Sequence, residues 1–434
     1  METAVTEIVA ATPRRTKGGC DAPVACPANS VGDEASPSRV AIAGAGAVTA
    51  LGAGVEPLRQ ALRDNAAGLR PRECVIGKTR PAIVAGWVPE ETLEKLRKEN
   101  PAHAGSRAFL FAHAAVKQAV ENAAGMVASV PPARRGFVLS TTKADIEALE
   151  TFLKSRGSGC ESAPSSRLKQ AQPAFLAADL AAAFAVAGPV QCVSAACVSG
   201  LLAIQQGVAL LRRGLADLVL VAGVDLASEF VLAGFNSLKS LDPEGCRPFD
   251  RVRVGLSLGE GAGALVLVRR ELLPGPAVRV TGWGSSNDAN HLTGPSRDGA
   301  GLALAVSRAL AKAGVAPDAI DYLNAHGTGT PYNDNMESLA LRTVFGDRVP
   351  PFSSSKGLLG HTLGAAGILE TILCLAALEL QWLPGTPRLR ERDPVAPDSL
   401  LREPRPATQL RRVLKISCGF GGTNAALVLE RESA

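Results

Sequence analysis

The chain is short of aromatic side chains: Phe, Trp and Tyr make up 4 % of its 434 residues, against 44 glycines. A core with few rings must close by near approach of backbones, so tightly packed helices and sheets are expected. None of its nine cysteines (Cys20, Cys26, Cys74, Cys160, Cys192, Cys197, Cys246, Cys374 and Cys418) forms a Cys-x-x-Cys pair, and their number is odd. This speaks against a disulfide framework and for free thiols in a reducing cytosol. Zinc is not expected, because no second Cys or His pair joins Cys192 and Cys197 to complete four ligands. The net charge of +5 is small and Lys and Arg are dispersed, so no nucleic-acid tract is seen, while a weak positive face for an acidic partner is compatible. The first residues lack the charged start, apolar stretch and cleavage site of a signal peptide. Long apolar runs are interrupted: 178–204 by Gly188-Pro189 and Gln191, and 357–383 by His361, Glu370 and Glu379. Both read as buried elements of a globular protein, with no membrane span expected. Nucleotide signatures are incomplete too, since the third glycine after Gly44-Ala45-Gly46 would fall at Thr49, and no P-loop exists.

What is present is ordinary globular composition, 46 % hydrophobic and 20 % charged. Residues 1–37 are rich in Pro, Ser, Gly, Ala and charge without a sustained period, and read as a flexible leader. Beyond them the chain repeats itself. Val40-Ala41-Ile42-Ala43-Gly44-Ala45-Gly46 is matched by Val278-Arg279-Val280-Thr281-Gly282-Trp283-Gly284. Each half then shows a strand, a small-residue turn and a long apolar helix: Val190 to Val193 with Val198 to Leu211, and Val349 to Ser354 with Ala365 to Leu380. Each closes on two apolar strands, Leu218 to Val224 with Gly263 to Val268, and Val413 to Ser417 with Ala425 to Glu430. The pattern predicts halves at 38–272 and 273–434, with two sheets and a helix layer between them.

Chemistry concentrates in three glycine-flanked segments. Cys197 stands in Ser194-Ala195-Ala196-Cys197-Val198-Ser199-Gly200, where a turn meets a helix. The positive end of that helix should lower the thiol's pKa, and small neighbours admit a thioester. His326 follows the apolar stretch Ile320 to Leu323 in Asn324-Ala325-His326-Gly327-Thr328-Gly329-Thr330. His361 lies in Lys356-Gly357-Leu358-Leu359-Gly360-His361-Thr362-Leu363-Gly364. Two of only five histidines thus occupy such turns, and paired imidazoles beside a thiol suit acyl transfer and stabilisation of a carbanion. Cys192 and Cys374 read as small core residues, and His103, His113 and His291 as structural ones. Ser353 and Lys356 share the spacing of penicillin-binding serine acylases, but Ser-Asp-Asn and Lys-Thr-Gly are missing.

Together with Arg247-Pro248-Phe249-Asp250, Gly259-Glu260-Gly261-Ala262-Gly263 and Gly419-Phe420-Gly421-Gly422-Thr423-Asn424, these segments resemble the β-ketoacyl-acyl-carrier-protein synthases with one Cys and two His. The resemblance spans residues 39–431. It implies an α/β thiolase-like fold, a duplicated five-layer α-β-α-β-α arrangement, and decarboxylative Claisen condensation in type II fatty-acid or polyketide biosynthesis. It implies Cys197 as acyl acceptor, His326 and His361 at the enolate, and Lys356 orienting the site with Glu370 as partner. The N–H groups of Cys197 and Phe420 would form the oxyanion hole, and Phe420 would gate the acyl pocket. Thr293, Thr328 and Gly421 would contact substrate. No cofactor or metal is implied beyond the phosphopantetheine of a carrier; the partners are an acyl carrier protein and a second subunit, in a homodimer or a related heterodimer, in the cytoplasm. Val254, Cys418 and Ser257-Leu258 depart from the usual pattern and are expected to alter the pocket wall or the gating loop. Two competing readings are a non-catalytic subunit that sets chain length, which usually lacks the Cys, and an acyltransferase without condensation. Degradative thiolase chemistry is disfavoured by the Gly-Phe-Gly-Gly context of Cys418.

Overall fold

The computed structural model describes residues 39–157 and 165–433; the leader expected over 1–37, with Cys20, Cys26 and Cys160, lies outside them. Strands β1 (Val40–Thr49), β2 (Arg135–Ser140), β3 (Val190–Val193), β4 (Leu218–Asp225) and β5 (Gly261–Arg269) come from the first half. Strands β6 (Val278–Asn287), β7 (Tyr322–Asn324), β8 (Phe352–Ser353), β9 (Arg412–Cys418) and β10 (Thr423–Arg431) come from the second. The order is β3-β2-β4-β5-β1 in one half and β8-β7-β9-β10-β6 in the other, the same third-second-fourth-fifth-first succession. Parallel and antiparallel pairings match as well. The duplication read from the glycine repeat is therefore a duplication of topology.

One expectation is corrected. The halves do not form two separate sheets. β1 pairs antiparallel with β6 through Val40↔Val280, Ala41↔Arg279 and Ile42↔Val278, so hydrogen bonding runs across both halves. The expected strand from Val349 to Ser354 shrinks to Phe352–Ser353, because Pro350-Pro351 cannot donate to a ladder.

Helices α1 (Arg107–Asn122) and α2 (Pro173–Ala183) cover the outer face of the first half-sheet. Helices α3 (Ser199–Arg212) and α6 (Ala366–Leu380) lie between the half-sheets, and α4 (Ala300–Ala313) and α5 (Pro331–Phe345) cover the far face. Strand alternation feeds three cores: Leu218, Leu220 and Ala222 point to the outer core with α1, while Val219 and Val221 join the central one. Likewise Ala425, Leu427 and Leu429 enter the central core, and Ala426 and Val428 the far one. The apolar stretch Leu363–Leu380 has the length and composition to cross a membrane, yet 89 % of it is buried in the protein.

The paired glycines have a packing role. A Cβ added at Gly44 or Gly46 would stand 2.3 or 2.1 Å from the carbonyl oxygens of Ala119 and Ala115 on α1. Added at Gly282 or Gly284 it would stand 2.2 or 2.1 Å from Ala309 O and Ala305 O on α4. Each motif lets an alanine-rich helix lie on its first strand, which also explains why no dinucleotide turn follows. Gly46→Val or Gly284→Val should cost about 3 kcal/mol or more, read as a lower urea midpoint. Gly125→Ala, which meets nothing within 4 Å, should shift stability by less than about 1 kcal/mol.

Candidate active site

The two central helices meet at glycine. A Cβ on Gly200 would lie 2.8 Å from Ile368 N, and one on Gly367 2.6 Å from Leu201 N. Their first turns therefore touch backbone to backbone, and the segments that lead into them converge. Cys197 precedes α3, after Ala196 in a left-handed conformation (φ 48°). His361 precedes α6, and its Nε2 lies 2.8 Å from Cys197 Sγ. His326 lies beyond the end of β7, its ring centroid 5.2 Å from that of His361 with the planes crossed at 84°. All three side chains are buried.

Behind the imidazoles sits a buried charge cluster. Lys356 Nζ donates to His326 O at 2.7 Å and to Glu370 Oε1 at 2.6 Å, and lies 3.3 Å from His326 Nδ1. An ammonium has no lone pair, so His326 Nδ1 is the acceptor and the ring's proton is on Nε2, facing the thiol side. Lys415 Nζ lies 2.8 Å from Glu370 Oε2 and 3.3 Å from Ala325 O. Two ammoniums against one carboxylate leave the cluster with a positive surplus. Three groups missed in the sequence support this site. Glu337 accepts the His326 and Gly327 N–H groups, both at 2.6 Å, and Asp334 accepts Thr328 N at 3.0 Å, so α5 clamps the His326 turn. The available signals were a Lys within the apolar strand Val413-Leu414-Lys415-Ile416 and acidic residues three apart on one turn of α5.

Burial, then Lys356, holds His326 and His361 well below the ordinary imidazole range, so both are neutral. For Glu370 burial works upward, but the two lysines prevail and keep it ionised. Burial and Asp334 push Glu337 up to about 7. The expected low thiol pKa is corrected: burial pushes Cys197 up to about 11, outweighing Lys356, Lys143 and a hydrogen bond from the Phe420 N–H. Loss of water around the thiolate is the largest influence on it.

The structure thus brings together Cys197, His326, His361, Lys356, Glu370 and the Phe420 amide. Thr328 is buried two residues past His326, its Oγ1 2.8 Å from Thr330 Oγ1. Thr293 is exposed, its N–H donating to His291 Nδ1, on a loop whose Leu292 O accepts Gly421 N at 2.7 Å. The Phe420 ring, 37 % exposed, stacks on Phe235 with centroids 5.8 Å apart. Among the departures, Val254 is exposed and builds no pocket wall, whereas Ser257 O accepts His361 N at 2.7 Å and shapes the site. Cys374 is buried as expected, but Cys192 is exposed, because β3 is an edge strand. The ligand atoms of Cys197, His326 and His361 come within 4.8 Å of one another, a spacing metal sites also use. The surplus positive charge behind them favours an anion over a divalent cation.

A buried thiol flanked by two neutral imidazoles, on a duplicated five-layer scaffold, marks a thiol acyltransferase of the thiolase superfamily. Profiles described as "Beta-ketoacyl synthase, N-terminal domain" and "Beta-ketoacyl synthase, C-terminal domain" match residues 37–272 and 277–390. The chain belongs to the β-ketoacyl synthase family, the ketosynthases of type II fatty-acid and polyketide biosynthesis. It is 30 % identical over 419 residues to 3-oxoacyl-[acyl-carrier-protein] synthase 2 of Vibrio cholerae, covering 91 % of this chain and 100 % of that one. The ishigamide ketosynthase/chain length factor superposes with a TM-score of 0.85 at 31 % identity, over 92 % of this chain and 100 % of the other. A ketosynthase in complex with its chain length factor from Xenorhabdus doucetiae gives 0.81 at 31 % identity, over 91 % and 98 %.

With a thiol pKa near 11, alkylation of Cys197 by iodoacetamide should rise about tenfold per pH unit from pH 7 to 10. A plateau below pH 8 would contradict the burial argument.

Proposed function

We propose that this chain is an elongating ketosynthase that loads an acyl group on Cys197 and extends it with malonyl-carrier protein. The observation that carries this reading is the 2.8 Å approach of His361 Nε2 to the buried Cys197 thiol, with neutral His326 alongside. A non-catalytic partner subunit would have no use for this complete set.

In the loading step Cys197 Sγ attacks the thioester carbonyl of an acyl carrier. The N–H groups of Cys197 and Phe420 receive the oxyanion, the carrier sulfur leaves, and it takes the thiol proton. The high thiol pKa is no obstacle, because one thiol replaces another and no free thiolate accumulates. Malonyl carrier then binds with its thioester carbonyl at the Nε2 atoms of His326 and His361. The bond to the carboxylate breaks, CO2 departs, and the electron pair enters the enolate. Its α-carbon attacks the Cys197 thioester, forming a carbon–carbon bond and releasing the thiolate, which takes up a proton from solvent. Neutral imidazoles donate to the enolate without giving up their protons, and the surplus charge of Lys356 and Lys415 over Glu370 offsets the new anion. Thr328, with Thr293 and Gly421 nearer the surface, lines the carrier's pantetheine path, and Phe420 gates the acyl pocket.

Support for a second subunit comes from the β3 edge. This strand has a neighbour on one side, Val190 is 42 % exposed, and the nearby helix Ile146–Gly157 buries none of its residues. Leu153, Phe175 and Phe230 are also exposed. An apolar face beside an open edge invites strand pairing. We assign it to a second copy of this chain, or to a related chain-length-setting subunit where one is made, in the cytoplasm. Light scattering should give a dimer mass, and Val190→Asp should shift it toward the monomer.

Intact-protein mass spectrometry tests the chemistry. Incubation with acyl carriers should add one acyl group on Cys197, and malonyl carrier should remove it as a β-ketoacyl product two carbons longer. Cys197→Ala should abolish loading. His326→Ala or His361→Ala should keep part of the loading and lose at least about a hundredfold in condensation. Full condensation by either variant would remove the role given to that histidine, and a persistent adduct would favour simple acyl transfer.

A further inference from the structure

Asp225 closes β4 and is 1 % exposed. Its Oδ1 accepts Thr141 Oγ1 at 3.0 Å and Thr142 N at 3.1 Å, and its Oδ2 accepts Thr142 Oγ1 at 2.9 Å and Gly364 N at 2.6 Å. Gly364 follows His361 by three residues, so this carboxylate ties the His361 loop to the loop after β2. Thr142 Oγ1 in turn accepts Lys143 Nζ at 2.9 Å. Among the described residues that is the ammonium's one hydrogen bond, and it has no ion pair there.

The duplication shows what stands at this point. Ala196 and Leu363 both adopt left-handed backbone, φ 48° and 50°, and each precedes by four residues the glycine at which the central helices touch, Gly200 and Gly367. Gly364 is thus the counterpart of Cys197. A Cβ there would sit 2.7 Å from Asp225 Oδ2. In the second half, the place of a nucleophile's side chain is filled by the carboxylate of the first half.

We propose that Asp225, Thr142 and Lys143 form a positioning unit for Cys197 and His361, in which Asp225 locks the His361 loop and Lys143 supplies the opposing charge through the Thr142 hydroxyl. The unit rests on Cys197 being the nucleophile. Lys356 and Lys143 favour the thiolate and Asp225 disfavours it, while His361 stands in contact and His326 beside it. Lys415, Glu370 and Glu337 belong to the cluster behind the imidazoles.

The test is the pH profile of Cys197 alkylation by iodoacetamide in the full chain, which needs no acyl substrate and is therefore separate from the condensation assay. Asp225→Asn should react roughly three- to tenfold faster than the parent at pH 8, and Lys143→Met slower by a similar factor, because well below the pKa the thiolate fraction follows it tenfold per unit. Lys143→Arg should restore the parent profile. A role confined to holding the loops would move both variants in one direction, and that result, or no movement, overturns the proposal. Should Asp225→Asn fail to fold, the Lys143→Met and Lys143→Arg pair decides alone: equal profiles sink the idea.

Discussion

Glu370 is the group on which the site depends. It stands in the middle of the protein, on the helix shared by both halves, and two ammoniums reach it from different segments. A buried carboxylate with one lysine would be a neutral pair; with two it leaves one positive charge where no water can screen it. Burial first, and that charge second, keep both histidines unprotonated, and the charge is ready for whatever anion the reaction makes. Removing the carboxylate would leave two uncompensated cations in the interior, so its role in folding cannot be separated from its role in chemistry.

Glycine sets the geometry around that charge. Gly200 and Gly367 bring the two central helices together with nothing between their backbones, and the residues just ahead of each helix inherit the contact. The catalytic distances are therefore fixed by main-chain packing, the least deformable part of the structure, rather than by long side chains. The same economy recurs at the outer layers, where Gly46 and Gly284 let α1 and α4 sit directly on the first strand of each half. The scarcity of aromatics follows, since there is little gap for a ring to fill.

Much of this was legible in the sequence. The glycine-valine repeat announced the duplication, and the spacing of small residues around Cys197, His326 and His361 announced the chemistry. What escaped were features that exist only across the fold. Lys415 is one alternate residue of a strand, and nothing local says that it meets Glu370. Asp334 and Glu337 look like surface residues of a helix start, yet they bind the N–H groups of a turn. The thiol's pKa went the wrong way because a helix end is visible in a sequence and burial is not. The separate sheets became one because three pairs between β1 and β6 depend on how the halves dock.

The central core also bears on how the chain can be made. It contains Val40 from the first strand and Leu429 from the last, so neither half owns the layer between them. The boundary near residue 272 that separates the two family profiles does not divide this core. A nascent chain that has delivered β1 to β5 still exposes the inner face of that sheet and the apolar side of α3. It must hold them open through more than a hundred further residues until α6 and the strands after it arrive. A core drawn from both halves thus ties the completion of the first half's packing to the arrival of the second.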